Sequence, residues 1–365
     1  MLASLRLREG LSSRILACDR ARNDAGPLRV DPIMPPSAST PVSWPSYLGR
    51  KASLSALVLL AGALTAAAQI VPSSPAAEPI TPIPAPAQLE PRPLALGEQL
   101  FHDTRLSHDN TRSCASCHDT GTNGASANAQ DRGAHGLLLP LNTPTVFNAA
   151  LNFRLNWEGN LRSLEREAEE GLRNPAIMAS SAEEVIVKIN ADAVMVQRFR
   201  DAYARPPDVA ALLNAIATYE RSLLTPGSRF DRWLAGETAA ISPDELSGYL
   251  LFKSLGCISC HQGVNVGGNL FQRHGVFYTL GTPEPELVRV PSLRNVVVTA
   301  PYFHDGSAAT LNEAVRKMGL AQLDRVLTDQ QVGSIVAFLR TLTGVYQGRS
   351  VTPAIARPTV DAVPR

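Results

Sequence analysis

Two short stretches, "SCASCHDT" at 113–120 and "GCISCHQG" at 256–263, each carry a Cys-x-x-Cys pair with a histidine directly after it. They supply Cys114, Cys117 and His118 in the first copy, and Cys257, Cys260 and His261 in the second. Thiols at this spacing can each add to a vinyl group of haem, and the adjacent imidazole then becomes an axial ligand of the iron. A zinc knuckle would use the thiols as ligands and would not need a histidine after each pair. A redox dithiol would occur once, near a βαβ pattern. The chain has five cysteines, four of them in these motifs, which leaves Cys18 and nothing for a disulfide framework. The pattern predicts two covalently bound haem c groups.

What such a pair of haems does depends on the ligand opposite each motif histidine. The remaining candidates after residue 68 are His102, His108, His135, His274 and His304, with Met178, Met195 and Met318. Met318 ends a short capped helical pattern downstream of the second motif, which suits a thioether presented from a rigid element; an ordinary core methionine is the alternative. His135 lies in "GTNGASANAQDRGAHG", small and polar without periodicity, a loop able to move and to release a ligand. Spacing alone leaves both assignments open.

The elements that must position these residues read as mainly α. Ser181 with Glu184 is a capping-box pattern opening "AEEVIVKINADAVMVQRFRDAY". "DVAALLNAIATYERSLL" puts Leu212, Leu213, Ile216, Tyr219 and Leu223 on one helical face. Ser242, Pro243 and Glu245 start a helix that runs into the second motif. Thr310 with Glu313, and Thr328 with Gln331, open two more. Strand signals are few, "VRVPSLRNVVVTAP" being the best. "LGEQLFHDTRLSHDNTRSCASCH" and "SGYLLFKSLGCISCH" form a weak internal repeat with Leu-Phe shortly before the cysteines. Two cytochrome c-like domains are expected, 94–235 and 236–345, each around one haem, with a C-terminal tail at 346–365.

Ahead of them, residues 1–68 read as a leader, with an export signal over about 46–68: Arg50 and Lys51, an apolar run from Leu54 to Ala63, and a small-residue cleavage site at Ala66–Ala68. The fifty residues before the signal suggest a translation start placed too far upstream. Residues 69–93, rich in Pro and Ala, read as a solvated tether. Export to the periplasm fits covalent haem attachment, which bacteria carry out there. The apolar run is too short to span a bilayer comfortably, so no stable membrane insertion is expected after cleavage. With 34 Lys and Arg against 33 Asp and Glu, the net charge of +1 gives no support to nucleic-acid binding.

Over residues 94–345 the chain resembles the bacterial diheme cytochrome c peroxidase family, which includes the methylamine-utilisation diheme enzymes. The resemblance runs through "LGEQLFHDTRLS", "NTPTVFNAALN" followed by a Trp, "TYERSL", "SRFDRWLAG", "VPSLRNVVVTAPYFHDGSAATLNEAV" and "VGSIVAFLRTLTG". It implies reduction of H2O2 to water with electrons from a small c-type cytochrome or a cupredoxin. The second haem, with His261 and Met318 as its axial pair, would receive them. The first, with His118 proximal and His135 as a displaceable distal ligand, would be the peroxidatic one. Trp157 matches a Trp between the haems, a plausible electron relay. Asn142 and the carbonyls of Thr299 and Pro301 match an inter-haem calcium site. His304 looks structural, and homodimerisation is a family trait.

Departures from the family pattern fall on the first-haem pocket. Peroxide cleavage needs a base that moves a proton from one oxygen to the other. The family's Glu-Met pair reads Ile177-Met178 here, in "NPAIMAS". The family's pocket Gln is matched by Glu167, a substitute base or one of several solvated acids beside Glu165, Glu169 and Glu170. The Arg expected after Trp-Asp-Gly is absent from "WEGN", and the loop before "RVPSLRNV" is short. A diheme electron carrier, or an oxidase of a protein substrate, is the alternative; against the latter, Met318 stands where the methylamine-utilisation relatives have a Tyr ligand.

Overall fold

The computed structural model describes residues 78–354. The leader with its export signal, Cys18, the start of the tether and the end of the tail lie outside the described residues. The fold is mainly α. Nine helices, among the described residues, run α1 (Pro91–Phe101), α2 (Leu164–Arg173), α3 (Ala182–Asn190), α4 (Ala193–Tyr203), α5 (Val209–Ser222), α6 (Arg229–Leu234), α7 (Pro243–Ser254), α8 (Leu311–Leu323) and α9 (Asp329–Arg340). Sheet among the described residues is confined to two antiparallel pairs: β1 (Phe271–Arg273) with β2 (Leu287–Arg289), Gln272 facing Val288, and β3 (Val345–Tyr346) with β4 (Arg349–Ser350). No helix among the described residues is long and apolar enough to cross a membrane.

Side-chain caps define the helix starts, because the first N–H groups of a helix have no partner within it. Ser181 accepts from Glu184 N, Thr310 from Glu313 N, and both Ser242 and Thr328 form full capping boxes. The pattern after Ser181 is two helices rather than one, since Asp192 accepts from the N–H groups of Val194 and Met195 and so restarts the helix as α4. Met318 does not end its helix either: α8 continues to Leu323 and carries Met318 at mid-length. Of the strand-like run 288–301, only Val288 and Arg289 are strand, as the end of β2.

The internal repeat has a structural counterpart. α1 packs on α5 and α7 on α9, and each pair meets at a glycine, Gly97 against the Ala215 carbonyl and Gly248 against the Ser334 carbonyl. A Cβ at either position would sit inside contact distance of that carbonyl, so the close crossing requires glycine. The same spacing, Gly-x-x-x-Phe, then sets Phe101 and Phe252 in apolar clusters beside their respective haem motifs.

Three expected boundaries shift. Within residues 78–83 of the expected solvated tether, Ile80 (1 % exposed) packs in the second-half core and Ile83 is buried as well, so both recover apolar burial. Buried Glu78 accepts from Tyr249 Oη at 2.5 Å and pairs with Lys253 at 3.1 Å, and α1 begins at Pro91 rather than Leu94. α6, placed in the first domain by a boundary at 235, contributes Phe230, Trp233 and Leu234 to the second core; Phe230 meets Tyr249 at 4.8 Å and Phe338 at 5.1 Å. The tail does not start at 346, because β3 and β4 bring Val351 into a cluster with Phe101, Phe147 and Tyr219. Fully buried Arg294 ties several of these segments together. It pairs with Asp231 of α6 at 2.7 Å and donates to the carbonyls of Val264 and Thr81, both at 2.8 Å.

Candidate functional site: two haem motifs and the ground between them

Each motif is a single 3₁₀ turn, Cys114–Ser116 and Cys257–Ser259. Ser113 and Ser116 cap the first turn reciprocally, and Gly256, at φ 92°, lets the chain leave α7 and enter the second. His118 N donates to Cys114 O at 2.9 Å and His261 N to Cys257 O at 3.1 Å, so each imidazole follows directly on its thiols. His118 Nδ1 lies 3.4 Å from Gly124 O, and His261 Nδ1 lies 3.2 Å from Val266 O. A carbonyl only accepts, so the proton sits on Nδ1 and Nε2 keeps its lone pair for a metal. Burial holds both rings neutral, pushing His118 below its ordinary value and His261 down to about 4. These are the requirements for two axial imidazoles, and the residues present fit a haem at each motif.

On the second-motif side, Cys257, His261 and Met318 line one largely apolar cavity with Phe252, Leu311 and Leu339. The same cavity is lined by Trp157, Arg289, Asn142, Thr299 and Pro301. Met178 and Met195, the other sixth-ligand methionines, are buried in the first-half apolar core instead.

Trp157 is held on three sides. Its Nε1 donates to Asn142 O at 2.8 Å, its own carbonyl accepts from Arg289 N at 2.7 Å, and its ring meets His304 at 6.4 Å between centroids. Buried His304 in turn lies 3.8 Å from the His274 ring, centroid to centroid, and its carbonyl accepts from Asn142 N at 2.7 Å. The Asn142 amide donates to the carbonyls of Asn128 and Ala129, which leaves Oδ1 available as an acceptor. Asn142, Thr299 and Pro301 line the same cavity and offer only neutral oxygens, and neutral oxygen ligands hold calcium weakly because ligand charge tunes affinity.

On the first-motif side His135 is exposed and occupies the left-handed region at φ 55°, in a short turn, Ala134–Gly136. The turn docks on the segment that holds Ile177: Ala134 N donates to Ala176 O at 2.8 Å. Ile177 itself packs into the first-half apolar core. Glu167 behaves differently from its acidic neighbours. Glu165 pairs with Arg221 at 2.5 Å, and Glu169 with Arg166 and Arg173. Glu167 has a buried Oε2 with no hydrogen-bond partner, and burial pushes its carboxyl up to about 7 against the pull of Arg289.

Two residues that belong to this ground were not singled out from the sequence. Glu220 of α5 is buried, its Oε2 is also unpartnered, and burial, then the charge of Glu167, hold it well above the usual carboxylate range. Its charge reaches Cys114 of the first motif. Arg289 of β2 is buried too, its Nε donating to Asn156 O at 3.0 Å. The signal for Glu220 was present: it sits four residues after Ile216 and three before Leu223, on the apolar face, where an acid does not belong unless it has a task or a partner.

Comparison with known proteins supports two haem-binding segments. The sequence profile described as "Di-haem cytochrome c peroxidase" matches residues 91–239, and that of "Cytochrome c" matches residues 246–343. The cytochrome c551 peroxidase of Nitrosomonas europaea is 39 % identical over 311 residues, covering 81 % of this chain and 92 % of that protein. The methylamine utilization protein MauG of Methylorubrum extorquens is 29 % identical over 287 residues, 72 % of this chain and 81 % of that one. Among solved structures, a MauG-like protein associated with microbial copper homeostasis superposes with a TM-score of 0.62 at 28 % identity, over 72 % of this chain and 93 % of that one.

Proposed function

The chain belongs to the di-haem cytochrome c peroxidase family and is a peroxidase-like oxidoreductase with two haem-binding segments, and from that premise we propose that it reduces H2O2 to water in the periplasm: H2O2 + 2e⁻ + 2H⁺ → 2H2O. Electrons come from a small c-type cytochrome or cupredoxin, arrive at the second-motif side and pass by way of Trp157 to the first. When bound, the haems supply reversible one-electron chemistry and, at the first motif, an iron that activates peroxide.

The chain's own residues do the rest. Cys114, Cys117, Cys257 and Cys260 would hold the haems covalently, and His118 and His261, with Nε2 left free by the carbonyl at Nδ1, would supply an imidazole to each. Met318, on the cavity it shares with His261, supplies a soft thioether that favours the ferrous state. Trp157, gripped by Asn142, Arg289 and His304, holds a fixed aromatic bridge between the sides. His135, exposed on its turn, acts as the displaceable distal ligand. Asn142, Thr299 and Pro301 hold one calcium ion, and the protein works as a homodimer, as its relatives' family trait suggests.

Glu167 carries the reading. Peroxide cleavage needs a group that takes a proton from the near oxygen and returns it to the departing one, and Ile177 has no proton to move. Glu167, half-buried with its Oε2 buried and unpartnered, and with its carboxyl pushed up to about 7 by desolvation, meets the requirement that a general base be matched to the working pH. Replacing it by Gln should lower peroxide turnover by about 100-fold, the low end for general acid–base catalysis. Unchanged turnover would remove it from the mechanism. The second reading, diheme electron transfer or oxidation of a protein substrate, draws support from Ile177, whose side chain packs in the core.

A further inference from the structure

The cavity shared by Cys257, His261 and Met318 is apolar along most of its wall, and no carboxylate lines it among the described residues. Arg289 is the one guanidinium or ammonium group in that lining. It is 6 % exposed, so its charge is held out of water. Arg294, the other buried arginine among the described residues, pairs with Asp231 at 2.7 Å. Arg289 has no such partner: the charge of Glu167 reaches it from α2, but no hydrogen bond joins the two. A cation taken out of water is costly unless an anion bonds to it.

The surroundings fix this guanidinium at the cavity. Arg289 N donates to Trp157 O at 2.7 Å, its backbone pairs with Phe271 across β1 and β2, and Nε donates to Asn156 O at 3.0 Å. That is the one hydrogen bond of its side chain among the described residues, so the N–H bonds of both η nitrogens remain for an acceptor within the cavity. The segment also lies against the second motif. A Cβ at Gly267 would meet Pro291 O at 2.2 Å and His261 Nδ1 at 3.4 Å, which sets the chain two residues beyond Arg289 beside the second imidazole.

Haem c brings what this cavity lacks, carboxylates on a large apolar ring. We propose that Arg289 is the anion site of the second-motif pocket, its η nitrogens pairing with a propionate of the haem held by Cys257, Cys260 and His261. A guanidinium fork matches a carboxylate in two parallel N–H···O bonds, a fit that a lysine cannot reproduce. The pair gives buried Arg289 its counter-charge and ties the haem edge to Trp157, whose carbonyl Arg289 already grips. A fixed positive charge near the iron also favours the ferrous state, adding to the effect of Met318. The inference requires a haem at the second motif and does not depend on peroxide being the substrate.

The test reads the haem directly, in the wild-type holoprotein, Arg289→Met and Arg289→Lys, each reduced so that only the second haem is ferrous. Resonance Raman excitation in the ferrous Soret band selects that haem and follows the bending band of its propionates. A redox titration at pH 7 gives its midpoint potential. Arg289→Met should shift the propionate band and lower the midpoint by about 59 mV, a tenfold change in the reduction equilibrium. Arg289→Lys keeps the charge and loses the fork, so the band should move while the midpoint stays closer to that of the wild type. A band unmoved by either substitution overturns the proposal. A band that moves only in the ferric first haem overturns it too, by giving Arg289 to the other pocket. If Arg289→Met does not fold, Arg289→Lys decides on its band alone. The premise is read separately: fewer than two haems per wild-type chain, counted as the pyridine haemochrome, would remove the group that Arg289 is proposed to bind.

Discussion

Burial of Glu167 should be measurable as a stability that declines with pH. Its carboxyl titrates at about 7 in the folded chain against 4.5 for the ordinary group, because burial disfavours the ionised form. The difference of about 2.5 units, at 1.36 kcal/mol per unit, corresponds to about 3 kcal/mol. The sign follows from the raised value: the folded state binds the proton more tightly than the unfolded one. The contribution is thus fully present below pH 4.5, declines as pH rises, and is gone above about pH 7. Glu167→Gln cannot ionise and should not show this decline. Guanidinium unfolding of the holoprotein, run on both proteins from pH 4.5 to 8, should give a difference curve that moves in favour of the variant by up to about 3 kcal/mol and then levels off. Parallel curves across that range would mean that Glu167 is solvated, and the case for it as a tuned base would collapse.

Other consequences concern the scaffold and the second-motif side. Gly97→Ala and Gly248→Ala each drive a methyl group into a facing backbone carbonyl, and each should destabilise by about 1–3 kcal/mol in the same unfolding assay. Arg294→Met strands the buried carboxylate of Asp231 and frees the chain at Thr81; a loss of about 3–5 kcal/mol is expected, measured by the unfolding midpoint. Met318→His exchanges a soft thioether for an imidazole, so a redox titration should find the second haem's potential lowered while the first is unmoved.

Much of the positioning framework could be read in advance because it is local. Caps at Ser181, Ser242, Thr310 and Thr328 are short sequence patterns with a direct backbone consequence, and the α5 face from Leu212 to Leu223 is a plain 3.6-residue period. The motif histidines are equally local, each orienting its ring on a carbonyl five or six residues on. What escaped was long-range. Ile80 and Ile83 lie among prolines, and nothing nearby reveals that Ile80 fills the core built by α7 and α9 or that Ile83 is buried. α6 is too short to declare which core it joins, and Val351 is buried only because a hairpin returns it to Phe101 and Tyr219. Glu220 and Arg289 gain their meaning from Glu167, which is 53 and 122 positions away in the sequence. Charges brought near one another from three elements become visible only in the fold.

The most direct test of the proposed peroxidase is donor oxidation by the holoprotein, reduced so that only the second haem is ferrous, with peroxide and a reduced small cytochrome c. The spin state of the first haem should be recorded in the same cuvette. Rapid donor oxidation with a high-spin first haem is the expected result, with His135 displaced and Glu167 serving the proton transfer. A first haem that stays six-coordinate and low-spin, with the donor untouched, would contradict it and leave electron transfer as the function.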